Sequence, residues 1–161
     1  MAADSRPRAD PPASPIAAPT PAAEPPPPRA PGRPLHLRIG ERGEAAACAR
    51  LEAGGCQILA RNYRCPHGEI DLVALDQGVL IFVEVKTRSS SAWGPPRDAV
   101  TSAKRRKIAR SASHYMLAHL EQECAYRADI VEVALRRGTV AAVRHLKGAF
   151  SIEAELEKLS G

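Results

Sequence analysis

Two short segments set acidic and basic side chains at spacings that suit metal-assisted chemistry. Glu69-Ile70-Asp71 opens one apolar run, and Glu84-Val85-Lys86 closes another. Between the runs lies Asp76-Gln77-Gly78, which is turn chemistry, so together they predict a β-hairpin. With Gln77-Gly78 as a two-residue turn, Asp76 faces Val79, Asp71 faces Glu84 and Glu69 faces Lys86. Residues opposite one another on antiparallel strands share a face, as do residues two apart on one strand. Glu69, Asp71, Glu84 and Lys86 are therefore expected on one face, at the open end of the hairpin. A one-residue slip would undo this pairing, and Gln-Gly is a weaker turn signal than Asn-Gly.

Two carboxylates held side by side repel, and one is driven towards protonation unless a cation lies between them. Mg²⁺ or Mn²⁺ suits such a place because both prefer oxygen donors. An ion of this kind lowers the pKa of a bound water and stabilises charge on a phosphoryl oxygen. A lysine two residues along the strand can orient that water or neutralise the transition state. These are the parts for phosphodiester hydrolysis. An acidic-x-Lys triplet alone arises readily by chance; the apolar strand and the neighbouring Asp71 give this one meaning. The plain alternative is a surface ion pair between Glu69 and Lys86, worth less than ~1 kcal/mol.

The elements that must position these residues follow from periodicity and breakers. Ile39 to Ala53 is rich in Ala, Glu, Arg and Leu and predicts a helix stopped by Gly54-Gly55. Gln57 to Tyr63 predicts a strand, and Cys65-Pro66-His67-Gly68 a turn. Glu69 to Leu75 and Val79 to Thr87 form the hairpin, and Ser89 to Pro96 a loop. Arg97 to about Glu121 predicts a long helix whose apolar side offers Ala103, Ala109, Ala112, Met116 and Leu120. Asp129 to Leu135 and Val140 to Leu146 predict strands, and Ser151 to Leu159 a short helix. The order α-β-β-β-α-β-β predicts an α/β fold, a mixed β-sheet flanked by helices. Ile70, Leu72, Ile81, Val83 and Val85 should point to one face of the hairpin, and Val73, Leu75, Leu80 and Phe82 to the other.

Composition bounds the rest. Twelve of the fifteen prolines fall in Met1 to Pro34, including the run Pro25 to Pro28. Such a stretch cannot build a core, so 1–34 is expected to be a disordered extension and 35–161 one domain. The net charge is +5, which is compatible with a polyanionic partner. Cys48, Cys56, Cys65 and Cys124 include no C-x-x-C pair, and Cys65 with His67 falls short of a zinc cage. With no signal-like N-terminus and no run near the ~18 apolar residues of a membrane span, we expect reduced thiols, a cytoplasmic location and no membrane partner.

The second helix carries Lys104, Arg105, Arg106, Lys107 and Arg110 on two turns. These five cations suit nucleic-acid phosphates, or a solvated helix face. Trp93, in a Gly/Pro loop, suits stacking on a base or capping of the core. His114 and His119 read as ordinary helix residues.

The segments Gly68-Glu69-Ile70-Asp71-Leu72-Val73-Ala74 and Phe82-Val83-Glu84-Val85-Lys86-Thr87-Arg88 resemble the PD-(D/E)xK nuclease superfamily. More narrowly, the chain resembles the YraN family of uncharacterised predicted endonucleases, related to archaeal Holliday-junction resolvases. The likeness runs from about Gly40 to Phe150. It includes Gly40-Glu41-Arg42-Gly43-Glu44-Ala45-Ala46, Gly94 to Val100, and Lys147-Gly148-Ala149-Phe150. The resemblance implies a restriction-endonuclease-like fold and a metal-dependent endonuclease hydrolysing DNA, branched or junction DNA included, with Mg²⁺ or Mn²⁺ and a homodimeric assembly. Asp71 and Glu84 match the metal-binding acids, Lys86 the catalytic lysine, and Glu44 the acid supplied by the first helix. Lys104 and Asp129 match family positions. Ile70 stands where the superfamily places Pro, and Glu69 has no catalytic counterpart, leaving it a supporting acid. Two other readings stay open: a nucleic-acid-binding module that does not cleave, since a fold does not guarantee its chemistry, and an interaction protein recruited through the proline-rich tail.

Overall fold

The computed structural model describes residues 34–89 and 99–159. The proline-rich stretch 1–33, Trp93 and most of the Gly94 to Val100 segment lie outside the described residues. Among the described residues eight elements follow in order: α1 (Leu35–Ala53), β1 (Gln57–Cys65), β2 (Gly68–Asp76), β3 (Val79–Arg88), α2 (Ser102–His119), β4 (Tyr126–Arg136), β5 (Thr139–Phe150) and α3 (Ile152–Glu157). This is the expected mixed sheet flanked by helices, with the short terminal helix present.

The strands form one five-stranded sheet in sequence order. β1, β2 and β3 make an antiparallel meander. β3 and β4 run parallel, which requires a crossover, and α2 supplies it. β4 and β5 close the sheet as an antiparallel pair. α1 covers one face through Gly43, Ala47, Cys48 and Leu51, packed on Leu72, Ala74, Ile81, Val83, Val131 and Val133. α2 covers the other through Ala109, Ala112 and Tyr115, which meet Val73, Leu80, Phe82 and Ala128. Ala103, expected on the apolar side, is exposed, and Ile108 is buried instead. α2 starts at Ser102 rather than Arg97 because the Thr101 side chain accepts the Lys104 amide at 3.3 Å and caps the helix there.

One contact fixes how α1 lies. A Cβ built on Gly43 would fall 1.8 Å from Thr87 Oγ1. Glycine therefore lets the helix backbone settle directly on the end of β3, with Glu44 beside it.

The hairpin register is as expected from the turn through five pairs, Asp76↔Val79 to Leu72↔Val83. Beyond them the regular pairing ends, so the expected Asp71↔Glu84 and Glu69↔Lys86 pairs do not form. The physical reason lies on β1. Asn62 sits between the pairs Arg61↔Leu72 and Tyr63↔Ile70, opposite Asp71, with φ at 50°. A left-handed residue inside a strand breaks alternation, and Asn tolerates it better than most. Ile70 consequently packs on the α2 side with Val73, Leu80 and Phe82, not with Leu72 as alternation predicts.

Candidate active site

Where β2 leaves the ladder, its acid takes over a backbone partner. Asp71 Oδ2 accepts the Val85 amide at 2.7 Å, which sets the Asp71 carboxyl against the segment carrying Glu84 and Lys86. Glu84 is buried, with 7% of its surface exposed. The Lys104 ammonium pairs with its buried Oε2 at 3.1 Å.

Burial, and then the charge of Asp71, push the Glu84 carboxyl up to about 7. Burial also raises Asp71, against the opposing pull of the Val85 amide and the Lys104 charge. The pair thus resists carrying two negative charges until the pH nears neutrality, with Glu84 the acid raised further. Glu44 is near enough to feel Asp71 and Glu69; burial raises its carboxyl too, while the Asn62 amide works the other way. Asn62 Nδ2 donates to Glu44 Oε2 at 3.1 Å.

Asp71, Glu84 and Glu44 are therefore gathered in one region, from β2, β3 and α1. Among the described residues, however, no three His, Cys, Asp or Glu side chains stand close enough to form a ready metal cage. The donor set nonetheless suits a hard cation: two crowded carboxylates, one of them buried with only the Lys104 ammonium set against its Oε2 as a counter-charge. Lys86 is exposed. Glu69 turns from it to Arg64 Nε at 2.8 Å, so the Glu69–Lys86 pair of the simple register is absent.

The basic helix divides. Lys104 faces Glu84, and Arg105 Nε donates to the Val100 carbonyl at 3.0 Å. Arg106 is half-buried, while Lys107 and Arg110 are exposed. Ser111 is fully buried and accepts from the Cys65 thiol at 3.3 Å. His114 shares a 2.7 Å hydrogen bond with the Tyr63 hydroxyl, and His119 lies against Tyr115, in keeping with ordinary helix positions. All four cysteines are free thiols.

Asp129 stands apart from the acids. It is fully buried and accepts from Arg127 Nε at 2.9 Å, His145 Nε2 at 2.8 Å and the Gly148 amide at 2.8 Å. Gly148, at φ 58°, belongs to the stretch where β5 bulges opposite Asp129, between the pairs Ile130↔Leu146 and Ala128↔Phe150. Lys147 reaches Asp76 at 3.0 Å. The Lys147 to Phe150 motif thus closes the sheet.

Sequence reasoning missed two features. Asn62 carried no signal beyond its tolerance of left-handed backbone. Glu132, fully buried between Arg144 and Arg88, had one: a lone acid inside the apolar run Ile130 to Leu135.

The profile of the uncharacterised protein family UPF0102 matches residues 43–133, from the Gly43 contact into β4. The chain belongs to this family. It is 46% identical over 110 residues to a UPF0102 protein of Beutenbergia cavernae, covering 68% of this chain and 93% of that one. It is 47% identical over 120 residues to one of Chlorobium chlorochromatii, 71% and 92% covered. It is 52% identical over 99 residues to one of Symbiobacterium thermophilum, 62% and 84% covered. UPF0102 is the YraN family of the sequence resemblance. No helix among the described residues is long and apolar enough to cross a membrane.

Proposed function

We propose that this protein is a metal-dependent endonuclease that hydrolyses DNA phosphodiester bonds, with branched or junction DNA among its candidate substrates. The observation that carries this reading is the Asp71–Glu84 pair, a half-buried and a buried carboxylate crowded together, the buried one pushed up to about 7. Groups placed this way gain more from a cation than from solvent. Asp71 and Glu84 would hold Mg²⁺ or Mn²⁺, with Glu44 the candidate third ligand. When bound, such an ion lowers the pKa of a water and stabilises charge on a phosphoryl oxygen. Lys86, exposed two residues beyond Glu84 on the same strand, would neutralise the attacked phosphate. Lys104 sets a positive charge beside Glu84, and exposed Lys107 and Arg110 offer further phosphate contacts.

The test is cleavage of end-labelled linear, single-stranded, flap and four-way DNA with Mg²⁺ or Mn²⁺. Wild type should nick at least one substrate, and Asp71→Asn and Glu84→Gln should abolish it. Identical behaviour of wild type and Asp71→Asn on all four would remove the nuclease reading.

A second reading, binding without cleavage, is favoured by the Asn62 tether on Glu44 and by the lack of a three-acid cage among the described residues. DNA binding that survives Glu84→Gln, with no metal uptake by calorimetry, would establish it.

A further inference from the structure

The candidate catalytic strand continues past Lys86 into a charged group with no role in the site so far. The β3–β4 register sets Lys86 beside Glu132, and the β4–β5 register sets Glu132 opposite Arg144. The three form one row across the sheet, one step beyond Glu84. Glu132 has no exposed surface. Arg144 Nε donates to its Oε2 at 2.7 Å, and a second nitrogen of the same guanidinium reaches that oxygen. The other oxygen, Oε1, accepts no hydrogen bond among the described residues and has the Arg88 guanidinium 3.4 Å away. Arg88 Nε is likewise buried and, among the described residues, without a hydrogen-bond partner, while 32% of the Arg88 side chain is exposed.

A buried carboxylate between two guanidiniums contributes little net stability, because its desolvation offsets the attraction. Apolar residues would hold these strands as well, so the arrangement calls for a role beyond folding. The partly exposed Arg88 guanidinium brings a positive charge to this face, to which exposed Lys86 adds. Glu84, Lys86 and Arg88 alternate onto one face of β3 at about 6.6 Å per step, which is close to the separation of successive phosphates on a nucleic-acid strand. Arginine presents a planar fork suited to phosphate oxygens, and here its base is anchored from beneath.

We propose that Arg88 contacts a backbone phosphate of DNA next to the one attacked at Asp71, Glu84 and Lys86, and that Glu132 is the positioning residue that holds it. This rests on the nuclease reading. It gives a role to Arg88, the last residue of the Phe82 to Arg88 motif.

The experiment is fluorescence anisotropy with the full chain, a labelled four-way junction and EDTA, titrated across salt concentrations so that cleavage does not intervene. Each phosphate contact contributes about 0.9 to the slope of log affinity against log salt. Arg88→Gln should therefore bind more weakly with the slope reduced by about 0.9. Arg88→Lys should recover the slope, but not the full affinity. Glu132→Gln should weaken binding in the wild-type background and do nothing further once Arg88 is Gln. A merely structural Glu132 would give additive losses, and that result would overturn its positioning role. An unchanged slope in Arg88→Gln, with wild-type binding intact, would overturn the proposal while leaving the nuclease reading standing. Absence of DNA binding by wild type would remove both. Should Arg88→Gln fail to fold, Arg88→Lys decides: affinity equal to wild type overturns the proposal.

Discussion

At the residue scale, the crowded acid pair makes pH the most direct handle on this protein. Glu84, raised to about 7, must lose its proton before Asp71 and Glu84 can share a cation. Mn²⁺ affinity should therefore climb about tenfold per pH unit below 7 and level off above it. Calorimetry in buffers of different ionisation enthalpy should show proton release on binding, and Glu84→Gln should abolish that release. The same shift has a stability consequence. A carboxyl raised in the folded state favours folding fully below its unfolded value and loses that contribution as pH rises through about 7. In EDTA the protein should accordingly weaken between pH 5 and pH 8. Asp71→Asn, which removes one repelling charge yet keeps an acceptor for the Val85 amide, should raise stability at pH 8 by about 1 kcal/mol, one pKa unit's worth. Thermal melts at both pH values check this, and a destabilised variant at pH 8 would contradict it.

At the element scale, two contacts govern how the layers dock. Alanine at Gly43 would drive a methyl into Thr87, so Gly43→Ala should cost about 1–3 kcal/mol of overpacking and displace Glu44 with its helix. Adding Thr87→Ala should restore part of the loss, measured by urea denaturation. At the far edge, bonds from His145, Arg127 and the Gly148 amide outweigh burial and hold the Asp129 carboxyl below 3.8. Its contribution is therefore complete above that pH and is lost as pH falls through the lower folded value. Asp129→Asn should cost about 3 kcal/mol at pH 7 by breaking a buried charged network, with the gap to wild type closing in strong acid. Most of this scaffold was legible beforehand. Alternation and the Gln77-Gly78 turn set the hairpin register, and Gly54-Gly55 ended α1. The start of α2 was not, because a threonine cap outweighed the charged, helix-compatible stretch before it. Nor was the break at Asp71, which depends on the backbone of Asn62 on another strand. Carboxylates at 44, 71 and 84 could be named from motif resemblance; their resistance to ionisation and the Asn62 tether are products of burial that spacing does not encode.

At the scale of the whole molecule, the profile match begins at Gly43, after the proline-rich stretch. A chain starting at Pro34 should melt within about one degree of the full protein by calorimetry, since a proline-rich segment adds no packed core; a larger drop would assign the extension a structural part. Any loss of DNA affinity on that truncation should be slight, because the tail contributes only four arginines against three acids. The hydrogen bond from the Val85 amide to Asp71 offers a different kind of access to the molecule. A strand amide commonly answers to its neighbouring strand, whereas this one answers to a side chain at the candidate active site. Its deuterium uptake is therefore a local gauge: whatever pulls the Asp71 carboxylate away should unmask a single amide in the middle of a protected sheet, and ligand engagement can be followed there without any catalytic assay.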